Sequence, residues 1–242
     1  MQQLPPIVQY GFPFITSLMA VRFVTFIVRS GGALGEERSV TMRKAALGAL
    51  GLGLWMGLFA WLGQSGLLAQ FEVMPPPLNV VLVLVVLAGF ALGFSPLGER
   101  LVQGLPLHLL VSFHIYRFPL ELMMHKASEV GLMPEQMSYT GYNFDIATGI
   151  SAIALAWALD KRSVPLRVVE VWNVLGFVLL MGIGLVSLLS TPMFAVFGQE
   201  PEKLNTWIAH FPYVWLPSVL VPFAIFGHVL LWRKLKLERQ KL

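Results

Sequence analysis

Long, uninterrupted apolar runs separated by short polar or basic breaks dominate the pattern along this chain. The runs lie at approximately Ile7–Val28, Ala45–Gly66, Leu78–Phe94, Gly104–Met124, Gly141–Leu159, Pro165–Leu189 and Phe211–Trp232. Each is about 17–25 residues long, which is what a helix needs to cross a hydrocarbon core of roughly 30 Å. They are continuously apolar rather than alternating, so they predict helices and not the strands of a barrel. The expected fold is all-α, a polytopic bundle of seven transmembrane helices. The breaks leave no room for a soluble domain; the longest, Ser190 to His210, carries Trp207 and Ile208 and is expected along the outer interface. Residues 1–242 therefore read as a single transmembrane domain.

Composition agrees with the pattern. Of 242 residues, 56% are hydrophobic and only 12% charged, and the mean hydropathy is +0.71, so the lipid bilayer is the first partner. A net charge of +4 would suggest nucleic acid in a soluble protein, but here it reflects topology and no nucleic-acid partner is expected. Thirteen of the seventeen Lys and Arg residues fall in breaks on one side and only Lys126 and Lys203 on the other, with Arg22 and Arg117 inside runs. That bias predicts an N-terminus outside and a cytoplasmic C-terminus. The opening MQQLPPIVQY has no Lys or Arg and no small-residue cleavage site follows it, so no cleaved signal peptide is expected. The absence of Cys excludes disulfides, thiolate catalysis and cysteine-ligated metal.

The chemistry concentrates in FHIYRFPLELMMHK, which puts His114, Arg117, Glu121 and His125 where a spanning helix is expected. A charge at the bilayer centre costs roughly 3 kcal/mol on insertion scales, so such groups face a protein interior or a cavity. At about 100° per residue the four form one stripe, and about 16 Å separates His114 from His125 along the axis, too far to share one metal ion. Arg117 and Glu121 are spaced to pair, as are Glu121 and His125, and Pro119 is expected to bend the helix and free the carbonyl of Ile115. GYNFDI opens the next run and places Asn143 and Asp145 at the same depth. The predicted ligand-binding cluster is Arg117, Glu121, His125, Asn143 and Asp145, with Tyr139, Tyr142 and His210 near its mouth. The competing reading is an ion-pair network that only fixes helix packing.

His108, Glu170, Asn173 and His228 form a second layer toward the cytoplasm, and Arg22 is expected to snorkel to the inner interface. No cofactor is predicted. The alternatives are a divalent metal on Glu121, His125 and Asp145, without a spacing as specific as H-E-x-x-H, and a haem held between His108 and His228. Ala49, Gly53 and Gly57, like Gly89 and Gly93, are small residues at four-residue spacing that predict close helix packing within the monomer. GQSG at Gly63 to Gly66 matches the serine motif of rhomboid proteases over four residues only, without that family's His-and-glycine helix pattern.

The segments RFPLELMMHK, GLMPEQMSYTGYNFDI, VWNVLGF and FPYVWLPSVLVPF together resemble a family of uncharacterised bacterial multi-spanning membrane proteins. That resemblance implies a bacterial inner-membrane location and assigns no activity. The leading functional expectation is an outward-facing intramembrane site for a small polar solute, a proton or a lipid head group, as in a transporter. A metal-dependent enzyme acting on a lipid-linked substrate and an accessory subunit of a membrane complex are the alternatives.

Overall fold

The computed structural model describes residues 4–241, and among them every regular element is helical. The chain runs through α1 (Pro6–Ala33), α2 (Arg38–Ser65), α3 (Pro77–Phe94), α4 (Pro96–Gly104), α5 (Leu107–Ser112), α6 (Arg117–Glu129), α7 (Ile146–Lys161), α8 (Leu166–Leu189) and α9 (Val221–Arg239). Five of these are long and apolar enough to cross a membrane: α1, α2, α3, α8, and α9 counted with the turn before it from Leu216. Proline opens α1, α3 and α4 at the first helical position, where its fixed φ is already helical and its missing N–H would have no partner. Ser95 caps α4 by accepting from Gly98 N at 3.2 Å, and Gly66, at φ 75°, ends α2 in the left-handed conformation.

The expected fourth run is not one helix. Pro106 disfavours helical backbone at Leu105, which is extended, and a turn over Phe113–Tyr116 separates α5 from α6. Pro119 causes no kink: it is the third residue of α6, where an N–H needs no helical acceptor. The carbonyl of Ile115 accepts from Phe118 N at 3.1 Å instead of being freed. The continuous stripe therefore does not exist, because His114 lies in the turn and not on the helix that carries Arg117.

Hydrogen bonds tie the two ends of the bundle. At one end Arg100 of α4 holds Glu36 between α1 and α2, Arg233 of α9 donates to Gly93 O at 2.7 Å, and Arg239 pairs with Glu170 of α8. At the other, Asn79 of α3 donates to Thr191 at 3.0 Å, Gln136 to Ser190 at 3.1 Å, and Phe211 N to Gly63 O at 3.3 Å. The centre belongs to α9, whose buried residues cover every side. Gly89 and Gly93 let α3 lie against it: a Cβ on Gly89 would come within 2.9 Å of Pro222 O. The other small-residue row differs from expectation, since a Cβ on Gly53 or Gly57 of α2 would meet no other part of the described protein within 4 Å. Arg22 does not snorkel; it donates to Ser112 of α5 at 2.5 Å and lies over the Phe26 ring.

Candidate functional site

Arg117 opens α6 and is 1% exposed. Its Nε donates to Asp145 Oδ2 at 2.6 Å, its Nη2 donates to Oδ1 of the same carboxylate, and its Nη1 meets His228 Nε2 at 2.9 Å. All three guanidinium nitrogens are thus engaged, and a two-point fork of this kind is the strong form of the charged hydrogen bond. Gly149 makes it attainable. A side chain there would collide with the backbone of Phe118, so only glycine lets the first turn of α7 approach the first turn of α6. Thr148 adds a hydroxyl to Asp145 Oδ1 at 3.2 Å.

The arginine also fixes the tautomer of His228. A guanidinium has no acceptor, so His228 Nε2 must accept and its proton must sit on Nδ1. Nδ1 then donates to Asn173 Oδ1 at 2.8 Å, and Asn173 Nδ2 donates back to the carbonyl of His228 at 3.1 Å. The His114 ring stacks on that of His228 with centroids 4.2 Å apart. His114 is wholly buried and neither of its ring nitrogens has a hydrogen-bond partner.

Glu121, one turn on, does not pair with Arg117. Its Oε2 accepts from Asn143 Nδ2 at 2.6 Å, Asn143 also donates to Met137 O at 3.1 Å, and Asn143 Oδ1 accepts from Asp145 N at 3.1 Å. Among the described residues no donor reaches Oε1. Glu121 is 2% exposed, and what it faces is a groove of about 370 Å³ between α3 and α8, within the roughly 300–1,000 Å³ of small-ligand sites. Leu82, Val86, Ile183 and Leu188 are among its walls, and Tyr116, Arg117, Glu121 and Asp145 form its polar end. Val83 and Leu87 on one rim and Leu185 on the other are more than half exposed, so the groove opens sideways on the apolar outer surface.

The back of the groove is a wide π-helical turn, Leu216–Leu220, before α9. Such turns leave carbonyls without helical donors, and here side chains supply them. Pro222 has no N–H for Ser218 O, which accepts from Trp55 Nε1 at 2.7 Å, while Leu220 O accepts from Tyr116 Oη at 2.6 Å.

The remaining predicted residues lie elsewhere. His125 meets Ser138 at 2.9 Å, stacks on Tyr139 and approaches Glu129 at 3.5 Å, so the Glu121–His125 pairing is absent; the Lys126 ammonium, more than this histidine, holds the Glu129 carboxyl below its ordinary value. Tyr142 lies against Phe197, and His210 is exposed. The second layer divides: Asn173 and His228 join the Arg117 network, whereas Glu170 pairs with Arg239 and His108 lies 3.8 Å from Asp160. The Asp160 carboxyl is held below its ordinary value, first by Lys161 and then by His108. His108 and His228 thus face different partners and do not frame a common gap. Among the described residues no group of three or more His, Asp or Glu is arranged to hold a metal ion. The groove walls, Tyr116, Thr148 and the π turn escaped the sequence reading; the close pair of prolines in LPSVLVP was the available signal for the last.

One family model, Domain of unknown function (DUF8737), matches residues 75–236, a stretch that contains the whole cluster and the groove. No curated protein and no solved structure matches the chain.

Proposed function

The chain belongs to the DUF8737 family, and we propose that it is a bacterial inner-membrane protein that takes a single-chain amphiphile from the bilayer into the groove between α3 and α8. The polar end of the ligand lies against Glu121 and its chain along the leucines and valines of the walls. The observation that carries this reading is a carboxyl oxygen without a protein donor at the closed end of an apolar groove whose rims face outward. An intramembrane carboxyl is costly unless something partners it. Arg117 chiefly holds the helices, since its forked edge is taken by Asp145 and its Nη1 donates to His228.

Seven crossings are part of the proposal. The broken α5–α6 segment and the 16 residues of α7 supply the two beyond the five long helices, and the ties at the two ends of the bundle support the alternation. The basic residues at the Arg100, Arg233 and Arg239 end support placing that end in the cytoplasm. The bacterial location rests on the resemblance of the second half of the chain.

The test is photo-crosslinking in nanodiscs with a single-chain amphiphile that carries a diazirine on its tail. Crosslinks are expected to concentrate on residues 82–87 and 180–188 and to disappear in Leu185→Trp, which fills the rim. A yield no greater than that on the exposed face of α2 would end this reading.

A further inference from the structure

We infer that the ligand of this groove carries a protonated amine with at least one N–H, so that the protein selects long-chain amines over carboxylates, alcohols and quaternary ammonium ions. The inference rests on the amphiphile reading above and names the head group. It follows from asking which polar atoms at the groove are already engaged. Tyr116 Oη donates to Leu220 O. Ser187 Oγ accepts from Asn205 Nδ2 at 2.8 Å. Both oxygens of Asp145 accept from Arg117, and Oδ1 accepts from Thr148 as well. Asn143 occupies Glu121 Oε2. Glu121 Oε1 is left as the acceptor that no donor fills among the described residues.

The charges point the same way. Arg117, Glu121 and Asp145 are the charged residues lining the groove. Arg117 and Asp145 cancel within their fork, so Glu121 is the uncancelled ionisable group among the apolar walls, and a cationic head beside it would hold its carboxyl in the charged form. A carboxylate or phosphate head would add a second negative charge beside Glu121, and the edge of Arg117 that could fork it is already taken by Asp145. An alcohol would supply a hydrogen bond but no charge. A quaternary ammonium supplies charge without an N–H, and it is usually held by a cage of aromatic rings; among the described residues Tyr116 is the one aromatic side chain lining this groove. A protonated amine matches both features, placing one N–H on Oε1 and its charge beside the Glu121 carboxylate.

Binding of dodecylamine, dodecanol, laurate and dodecyltrimethylammonium should be compared by saturation with the full chain in neutral phosphatidylcholine nanodiscs, empty nanodiscs serving as the blank. Dodecylamine is expected to bind at least tenfold more tightly than the other three. Glu121→Gln should remove that preference, weakening dodecylamine far more than dodecanol, with a melting temperature unchanged or higher, and Leu185→Trp should weaken all four ligands. Laurate or dodecanol binding as tightly as the amine, or an amine preference that survives Glu121→Gln, would overturn the head-group assignment and leave the groove as a lipid site. Equal, Glu121-dependent binding of dodecyltrimethylammonium would overturn the N–H requirement. Saturable binding of none of the four, or binding indifferent to Leu185→Trp, would remove the amphiphile reading itself.

Discussion

Two arginine–carboxylate forks hold this protein together, and they differ in what surrounds them. Arg117 and Asp145 are buried between α6, α7 and α9, and nothing but protein reaches either charge except along the groove. Arg100 clasps Glu36 with bonds of 2.9 and 2.7 Å and also donates to Ile27 O and Ser30 Oγ at 2.8 Å, joining α4 to the last turns of α1. Glu36 is 18% exposed and shared with Lys44. Each fork is a bidentate pair, yet losing the arginine strands a buried carboxylate only in the first case. The first fork therefore holds the interior on which the ligand site rests, while the second fastens a turn that water and Lys44 also reach.

The largest expected effect breaks the inner fork. Arg117→Ala leaves Asp145 buried beside Glu121, and loss of one partner of a buried pair costs about 3–5 kcal/mol. Denaturant unfolding in detergent should show that loss, and the double variant Arg117→Met, Asp145→Leu should recover most of it. A single variant as stable as the parent would erase the distinction between the forks.

Arg100→Ala should cost less, about 1.5–3 kcal/mol for hydrogen bonds to a charged group, because Glu36 keeps Lys44 and water. It should leave amphiphile binding unchanged, which separates a fastening from a site. The smallest effect concerns pH. Arg100 above all, and then Lys44, holds the Glu36 carboxyl well below its ordinary value. A depressed carboxylate stabilises the fold above its unfolded value of about 4.3 and loses that contribution as the pH falls through its folded value. The stability gap between the parent and Glu36→Gln should therefore be constant from pH 7 to about 5 and shrink below about 4.3; a gap that widens on acidification contradicts this.

Much of the cluster was legible as a list of residues and little of it as a set of pairs. Arg117, Glu121, Asn143 and Asp145 stand out because polar groups are conspicuous in apolar runs, and the structure brings the four together. Pairing along a helix was the wrong guide. Arg117 reaches Asp145 across a helix boundary rather than Glu121 four residues on, because Gly149 allows α7 to come close and because Phe113–Tyr116 turns the chain just before α6. Depth estimates likewise put His228 and Asn173 in a separate layer, although His228 lies within hydrogen-bonding distance of Arg117.

The sequence by itself determined that this is a helical protein with apolar segments long enough to cross a membrane, where the basic residues fall, and which polar residues are out of place in apolar runs. Those properties are local sums over a segment, and one chain suffices to compute them. The tertiary structure alone decided which apolar helix is central and which peripheral. An apolar 18-residue stretch of α2 and one of the α9 segment have similar mean hydropathies, 1.7 and 1.5, yet 11% of the first stretch and 83% of the second is buried. Lipid and protein interior are equally apolar, so hydropathy cannot distinguish a face turned to one from a face turned to the other. The groove, its open rim and its unpartnered carboxyl oxygen exist only once that choice is made.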